Sequence, residues 1–163
     1  MDNLKEALVM AMENYFGEDT RRINHARRVT SYAEQLMALE GGDYTVVIGT
    51  AVLHDIGIHN AEKKYGSSNG NFQEIEGPPV AREILTRLKF GEPEIDEICE
   101  IIGNHHSPGK INTQNFKILY DSDWLVNVGD EFNITDKAKL ANIIDRVFLT
   151  RSGKRIAKEI YLR

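Results

Sequence analysis

The sequence predicts an all-α protein, and two observations support this prediction. Apolar residues recur at every third or fourth position through most of the chain, which is the spacing of one face of an α-helix. Glycine and proline interrupt this pattern repeatedly, so the predicted helices are joined mostly by short connections. The chain has 163 residues, a length that suits one domain, and we expect residues 1–163 to form a single domain.

Two amphipathic helices are predicted at the start of the chain. The first ends at Gly17 and the second at Gly41-Gly42, because glycine readily follows the last turn of a helix. Asp19 or Thr20 can cap the start of the second helix. The apolar face of this helix leaves His25 one step to its side, beside positions that we expect in the core.

The next segment is rich in valine and isoleucine, and its period over residues 44–54 fits either a buried strand or a helix. Helical neighbours on both sides favour a helix. Residues 56–71 are predicted to form a flexible loop, because glycine, serine and asparagine are concentrated at 66–71. The segment 59–71 is therefore a candidate lid over a site.

Prolines mark the helices of the second half of the chain. Pro78-Pro79 and Pro93 are each predicted to start a helix, since proline is favoured in the first turn. Pro108-Gly109 marks a loop. Further helical patterns follow at about 114–128, 135–150 and 153–162.

Composition narrows the function classes. The net charge of −5 argues against binding to polymeric nucleic acid, which depends on neutralising phosphates. No apolar run approaches the ~20 residues that cross a bilayer, so no membrane partner is expected. The single cysteine, Cys99, allows no intrachain disulfide and fits a reducing cytoplasm. The sequence leaves the oligomeric state open.

The adjacent pair His54-Asp55 is the most informative feature, because it closes an apolar stretch. Burying an imidazole or a carboxylate without a partner is costly. Neighbouring side chains on a helix point about 100° apart, so this pair can share a metal ion only near the end of a helix. Gly57 is consistent with such an end. Further candidate ligands lie elsewhere in the chain: His25, His105, His106, Asp121 and Asp123.

Two imidazoles and two carboxylates would form a mixed nitrogen and oxygen site for a metal. His25, beside an apolar helical face, and Asp123, within an apolar segment, are the candidates that would complete it. Such a site accepts Mn²⁺, Fe²⁺, Co²⁺, Ni²⁺ or Zn²⁺, and Mg²⁺ is a further candidate. The residues alone also allow simpler interpretations, in which Asp121 and Asp123 cap a helix entering at Trp124 and His105-His106 belong to a polar loop.

The pattern resembles the HD-domain superfamily, a group of metal-dependent phosphohydrolases with an all-α core. The matching motifs are Asn-His-Ala-Arg-Arg-Val at 24–29, His-Asp-Ile-Gly at 54–57, Asn-His-His at 104–106 and Asp-Ser-Asp-Trp-Leu at 121–125. They cover roughly residues 20–130. The resemblance implies that the metal ligands are His25, His54, Asp55 and Asp123. It favours Asp123 over Asp121 because the family's ligand stands two positions before a leucine, here Leu125.

The sequence departs from the family pattern in two places. Many relatives with two metals carry another histidine in the helix before the His-His pair, whereas residues 72–79 contain none. Glu74 or Glu76 would replace it, with His105 and His106 as the other ligands of a second ion, or the second metal is absent. No Gly-Tyr-Pro follows the His-His pair, which argues against a cyclic-di-GMP phosphodiesterase.

The sequence therefore predicts a metal-dependent phosphohydrolase acting on a small phosphate ester, preferably a nucleotide or a related metabolite. The expected catalytic residues are Asp55, His105 and His106, with the two histidines binding a second metal or contacting the phosphate and leaving group. Candidate phosphate-binding residues are Arg28, Lys63, Lys64 and Arg82. Two alternatives stay open: a mixed-valent di-iron oxygenase on the same scaffold, and a non-catalytic regulatory module that retains the metal site.

Overall fold

The computed structural model describes residues 2–132 and 135–163. Within these residues the chain forms nine α-helices and no β-strand, which confirms the all-α prediction. The helices are α1 (Asp2–Phe16), α2 (Thr20–Glu40), α3 (Tyr44–Leu53), α4 (Ile58–Tyr65), α5 (Gly70–Arg87), α6 (Glu92–Ile102), α7 (Gln114–Glu131), α8 (Lys137–Val147) and α9 (Arg151–Tyr161).

Helix α3 lies at the centre of the fold. Asp43 caps it by accepting a hydrogen bond from the backbone N–H of Val46 at 3.2 Å. Every residue from 46 to 53 is buried, and α3 contacts α1, α2, α6 and α7. A helix that is apolar on all sides belongs inside a protein, so helix was the correct choice over strand for this segment.

Helix α2 follows the sequence prediction closely. Asp19, not Thr20, caps it by accepting a hydrogen bond from the backbone N–H of Arg22 at 3.3 Å. Its buried stripe has the expected helical spacing and includes Ile23, Ala26, Val29, Ala33 and Leu36. This stripe sets α2 against α3 and α7, and His25 lies beside it.

The predicted loop over residues 56–71 is largely wrong, because α4 occupies its first half. Ile58 and Ala61 are buried at helical spacing, and Gly66 ends the helix with a left-handed φ of 66°. The glycine, serine and asparagine signal therefore marks only the short connection 66–69. The lid predicted over 59–71 is thus mostly a packed helix.

The predicted helix start at Pro78-Pro79 is also wrong, since both prolines lie inside α5. They leave the carbonyls of Glu74 and Ile75 without their usual helical donors. The helix continues because tertiary packing outweighs local propensity. Its buried side faces α4 and α6 and includes Gln73, Glu76, Gly77, Ala81, Ile84 and Leu85.

The turn after α3 packs directly on the backbone of α5. A Cβ added to Gly57 would overlap the backbone of Gly77, so the two segments are in direct backbone contact and leave no room for a side chain. This contact fixes the position of the His54-Asp55 pair immediately before the turn.

In the part of the chain that the structure describes, no helix is both long and apolar enough to cross a membrane.

Candidate metal centre

His54 stands at the carboxyl end of α3, as the sequence predicts for a shared metal site. Its side chain is fully buried, and its Nδ1 donates a hydrogen bond to the carbonyl of Ala51 at 2.8 Å. Because a carbonyl can only accept, Nδ1 carries a hydrogen and Nε2 faces the neighbouring ligand candidates. In metal-binding histidines, the ring nitrogen that does not bind the metal commonly donates a hydrogen bond to a backbone carbonyl, as Nδ1 of His54 does here.

Helices α2 and α7 bring the other two predicted ligands to this point. The Nε2 atom of His25 lies 3.0 Å from Oδ1 of Asp123 and 3.3 Å from Nε2 of His54. Nε2 of His54 lies 3.3 Å from the same Asp123 oxygen. Oδ2 of Asp55 lies 3.3 Å from Nε2 of His25 and 3.4 Å from Nε2 of His54.

These separations fit a single divalent ion. Ligand atoms about 2.1 Å from one ion stand about 3.0 Å apart along an octahedral edge and about 3.4 Å apart along a tetrahedral edge. The five distances given above lie between these two values or at them. His25, His54 and Asp55 form a group whose ligand atoms are all close enough to hold one ion, and Asp123 adjoins both imidazoles of that group. The donor set of two imidazoles and two carboxylates therefore fits a transition metal in both chemistry and spacing.

The electrostatics of the cluster also favour a cation. Burial opposes protonation of His54, but the carboxylates of Asp55 and Asp123 outweigh it and raise the pKa of His54 to about 9. Burial likewise opposes ionisation of both carboxyl groups, but His54 holds the pKa of Asp55 and of Asp123 below the usual range. The site stabilises added positive charge strongly enough to overcome desolvation.

His105 gives a second indication of a ligand. Its Nδ1 donates to the carbonyl of Ile102 at 2.7 Å, and its fully buried Nε2 has no hydrogen-bond partner among the residues that the structure describes. That nitrogen lies 3.5 Å from Oδ1 of Asp55, the carboxylate oxygen that does not face His25 and His54. An unpartnered buried nitrogen is costly. Asp55, His105 and His106 thus form a second group whose ligand atoms are close enough to hold an ion.

Gln73 is the α5 side chain that meets the ring of His106, and the sequence prediction missed it. Its amide nitrogen donates to the carbonyl of Ser68 at 2.6 Å, and its Oε1 lies 3.1 Å from Nε2 of His106. The carbonyl of Ser68 fixes the amide orientation, so Nε2 of His106 donates to Gln73. Loss of solvent around its ring and the nearby His105 lower the pKa of His106 to about 4, which keeps it neutral.

The two glutamates predicted as replacements for a ligand have other partners. Both oxygens of Glu76 are engaged, one by Nζ of Lys64 and one by the hydroxyl of Tyr65, each at 3.0 Å. Glu74 accepts hydrogen bonds from the backbone N–H of His106 and from the Ser107 hydroxyl. Glu76 is therefore not part of the centre, and Glu74 supports the turn that carries the histidines. The packing of α5 on α4 sets the orientation of α5 about its own axis. In that orientation Gln73, and not Glu76, points toward the centre.

Asp121 and Asp123 play separate roles within α7, so the interpretation of both as caps for a helix at Trp124 is wrong. Asp121 accepts hydrogen bonds from the backbone N–H groups of Leu149 and Thr150 and from the Thr150 hydroxyl, at 2.6–2.9 Å. Burial raises the pKa of Asp121 to about 6. Asp121 thereby connects α7 to the start of α9. Of the two aspartates, only Asp123 faces the metal centre.

A cavity of about 780 Å³ opens over the centre, and His25, Asp55 and Asp123 form part of its wall. Of the predicted phosphate-binding residues, only Arg28 lines it. Arg28 lies one helical turn from His25 on α2, so helical spacing carries it to the same face. The same rule identifies Arg21 and Arg22, one turn before His25, and Asn127, one turn after Asp123. The sequence prediction missed all of these lining residues, and it also missed Asn24, Asp130 and Glu131.

The other three predicted phosphate-binding residues lie elsewhere. Lys63 is exposed on α4 and does not line this cavity. Lys64 pairs with Glu76, and Arg82 pairs with Asp96 at 2.8 Å. The remaining histidine, His59, bonds to Asp19 at 2.7 Å and does not belong to the metal centre.

Comparisons with known proteins bear on the family and the fold of the chain. The sequence model of the HD domain matches residues 22–148, a segment that contains all the candidate ligands. A crystal structure titled as a predicted HD superfamily hydrolase, from an uncultured Thermotogales bacterium, has a similar fold. Its TM-score is 0.67 at 24% identity, and the match covers 99% of this chain and 85% of that one. A comparison with curated proteins found no significant match.

The matched segment, the helical fold and the convergence of His25, His54, Asp55 and Asp123 at the end of α3 all lead to one assignment. The chain belongs to the HD-domain family.

Proposed function

We propose that this protein is a metal-dependent phosphohydrolase that acts on a small phosphate ester. The observation that supports it best is the combination of a metal centre with an arginine-lined cavity. The candidate ligands His25, Asp55 and Asp123 line the cavity, and so does Arg28, one helical turn from His25. Guanidinium groups bind phosphate oxygens in a bidentate manner, so an ester phosphate has a binding partner beside the centre.

A divalent ion bound at this centre would supply Lewis acidity toward the phosphate group. The side chains of the protein account for binding and orientation. Arg28 is placed to neutralise phosphate charge as the ester enters. His106 lines the cavity, and Gln73 holds its ring, so we assign contact with the phosphate or the leaving group to His106. His105 is buried behind it, where it orients Asp55 or completes a second ion site.

This function is tested by combining activity with metal content. The purified protein is assayed with an aryl phosphate, nucleoside monophosphates and sugar phosphates in Mn²⁺, Co²⁺, Ni²⁺ or Mg²⁺. We expect turnover of at least one ester, and a loss of roughly 100-fold or more in His54→Ala and Asp55→Ala because the ion is lost. His59→Gln is the matched control, since His59 lies outside the centre.

Metal analysis of the same samples separates the alternatives. A bound metal with no turnover of any phosphate ester would contradict the proposal and favour a regulatory module. The oxygenase alternative needs two irons, so one equivalent per chain at saturating Fe²⁺ would argue against it. Equal metal content in wild type, His54→Ala and Asp55→Ala would contradict the metal centre itself.

A further inference from the structure

We propose that the substrate is a phosphorylated sugar or polyol carrying a single phosphate, not a nucleotide. This inference rests on the proposed phosphohydrolase function and concerns the group attached to the phosphate. It departs from the nucleotide preference of the sequence prediction, and the composition and arrangement of the cavity wall support it.

The cavity has almost no surface for a nucleobase. Among the described residues that line it, Ile58 is the only hydrocarbon side chain and none is Phe, Tyr or Trp; the two imidazole rings, of His25 and His106, are assigned to the metal and to the phosphate or leaving group. Small-molecule sites are usually lined mostly by apolar and aromatic side chains, and bases bind by stacking on aromatic rings. The aromatic residues nearest in sequence to the α7 wall, Trp124 and Phe132, stack on each other with ring centroids 5.9 Å apart and pack against the core.

One wall of the cavity has unused positive charge. Arg21, Arg22 and Arg28 line it from α2, and none of them forms an ion pair with a carboxylate in the described residues. Their neighbour Arg27 differs, because it points to α1 and pairs with Glu13 at 2.6 Å. Unpaired arginines beside a metal centre suit a phosphate dianion, which would therefore lie on the α2 side.

A second part of the cavity wall, which α7 supplies, is acidic and rich in hydrogen-bond acceptors. Asp130 and Glu131 line the cavity from the end of α7, with Asn127 one turn earlier, and neither acid forms an ion pair in the described ranges. Loss of solvent in the cavity, together with Asp123 and Asp130, raises the pKa of Glu131, which places its carboxyl group within electrostatic reach of the centre.

Carboxylates and amides accept hydrogen bonds from hydroxyl groups but repel a second phosphate. A molecule with a phosphate at one end and several hydroxyl groups at the other matches this arrangement. The cavity volume of about 780 Å³ leaves room for a pentose or hexose phosphate. Nucleoside polyphosphates and bisphosphates do not match it, because their further phosphates would lie against Asp130 and Glu131.

The decisive comparison is ribose 5-phosphate against AMP, because both contain the same phosphoribosyl group and only AMP has a base. The metal-loaded protein is used, and kcat/KM is measured for each. We expect kcat/KM for ribose 5-phosphate to equal or exceed that for AMP, since the wall offers adenine no Phe, Tyr or Trp ring to stack on. A reproducible preference for AMP would overturn the inference, and so would a preference for phosphoethanolamine over ribose 5-phosphate, which would indicate an ammonium site.

Variants test the two walls separately. The double variant Asp130→Ala, Glu131→Ala should raise KM for ribose 5-phosphate about tenfold and leave KM for an aryl phosphate unchanged. Arg28→Gln should raise KM for both esters, whereas the matched control Arg27→Gln should raise neither. An unchanged KM for ribose 5-phosphate in the double variant would contradict the role of the acidic wall.

The outcomes for the two proposals are distinguishable. If the aryl phosphate is hydrolysed but the sugar phosphate is not favoured over AMP, only the substrate inference fails. If the metal is bound and no ester at all is hydrolysed, the phosphohydrolase function fails, and the substrate inference fails with it.

Discussion

At the scale of single residues, Asp19 shows how a side chain outside the metal centre supports the elements around it. Its carboxylate caps α2 through the N–H of Arg22 and accepts a hydrogen bond from His59 on α4. The ring of His59 also lies 5.2 Å from that of Phe16, at the end of α1. Asp19 and His59 therefore link α1, α2 and α4 beside the cavity. This structural role accounts for His59, the one histidine that lies outside the metal centre.

We expect Asp19→Ala to lower the free energy of unfolding by roughly 1–2 kcal/mol near pH 7, through loss of the cap and of the His59 bond. The bond from His59 is the main reason that the pKa of Asp19 is lowered in the folded protein. Its stabilisation is therefore complete above the unfolded pKa of about 3.9 and is lost as the pH falls through the lower folded value.

The measurement is urea unfolding of wild type and Asp19→Ala at pH 6 and at pH 3. The difference between the two proteins should shrink at the lower pH. Asp19→Asn serves as the control, because asparagine keeps the cap without a titrating group. A difference that is equal at both pH values would contradict this account.

At the scale of elements, the contact between the turn after α3 and the middle of α5 positions the centre. Gly57 has a φ of −83°, which any residue adopts, so its glycine is required by space and not by backbone conformation. The backbone of Gly77 fills the position that a Cβ would occupy. This close approach explains why α5 stays helical through Pro78-Pro79, because the packed face extends on both sides of the prolines.

We expect Gly57→Ala to destabilise the fold by roughly 2–4 kcal/mol and to weaken metal binding, because the added methyl group pushes α5 away from the His54-Asp55 pair. Gly17→Ala is the matched control. Gly17 has a φ of 63° and open space around its Cβ position, so alanine there costs only backbone strain, about 1–2 kcal/mol. Thermal unfolding and calorimetric metal titration of both variants check this. Unchanged metal affinity in a folded Gly57→Ala protein would contradict the positioning role.

At the scale of the whole molecule, the ligands come from three separate parts of the helical core. His25 lies on α2, His54 and Asp55 follow α3, and Asp123 lies on α7. An ion bound by all of them exists only in the folded chain, so its binding free energy adds to stability.

We expect saturation with Mn²⁺ or Co²⁺ at about 100 times Kd to stabilise the protein by about 2.7 kcal/mol and to raise Tm by roughly 5–10 °C relative to chelator-treated protein. Asp123→Ala should lose this response, while His59→Gln should keep it. Differential scanning calorimetry with and without chelator measures the shift. An equal shift in Asp123→Ala would show that the ion binds elsewhere.

Particular elements show how far sequence reasoning reaches. The caps, glycine ends and apolar stripes of α1, α2, α6 and α7 are local signals, and the structure agrees with them. Helix α4 was missed because the glycine and serine signal of 66–69 was extended over the packed helix before it. The interior prolines of α5 were misassigned because a local preference was overridden by packing that no local window contains.

The sequence by itself determined the types of ligand and the helix end at which His54 and Asp55 meet, because a buried His-Asp pair after an apolar helix needs partners of matching chemistry. Tertiary structure decided which side chains face that point. Spacing places residues on one face of a helix, but only packing sets the rotation of that helix about its axis. The packing of α5 on α4 and α6 therefore turns Gln73 toward His106 and leaves Glu76 to Lys64.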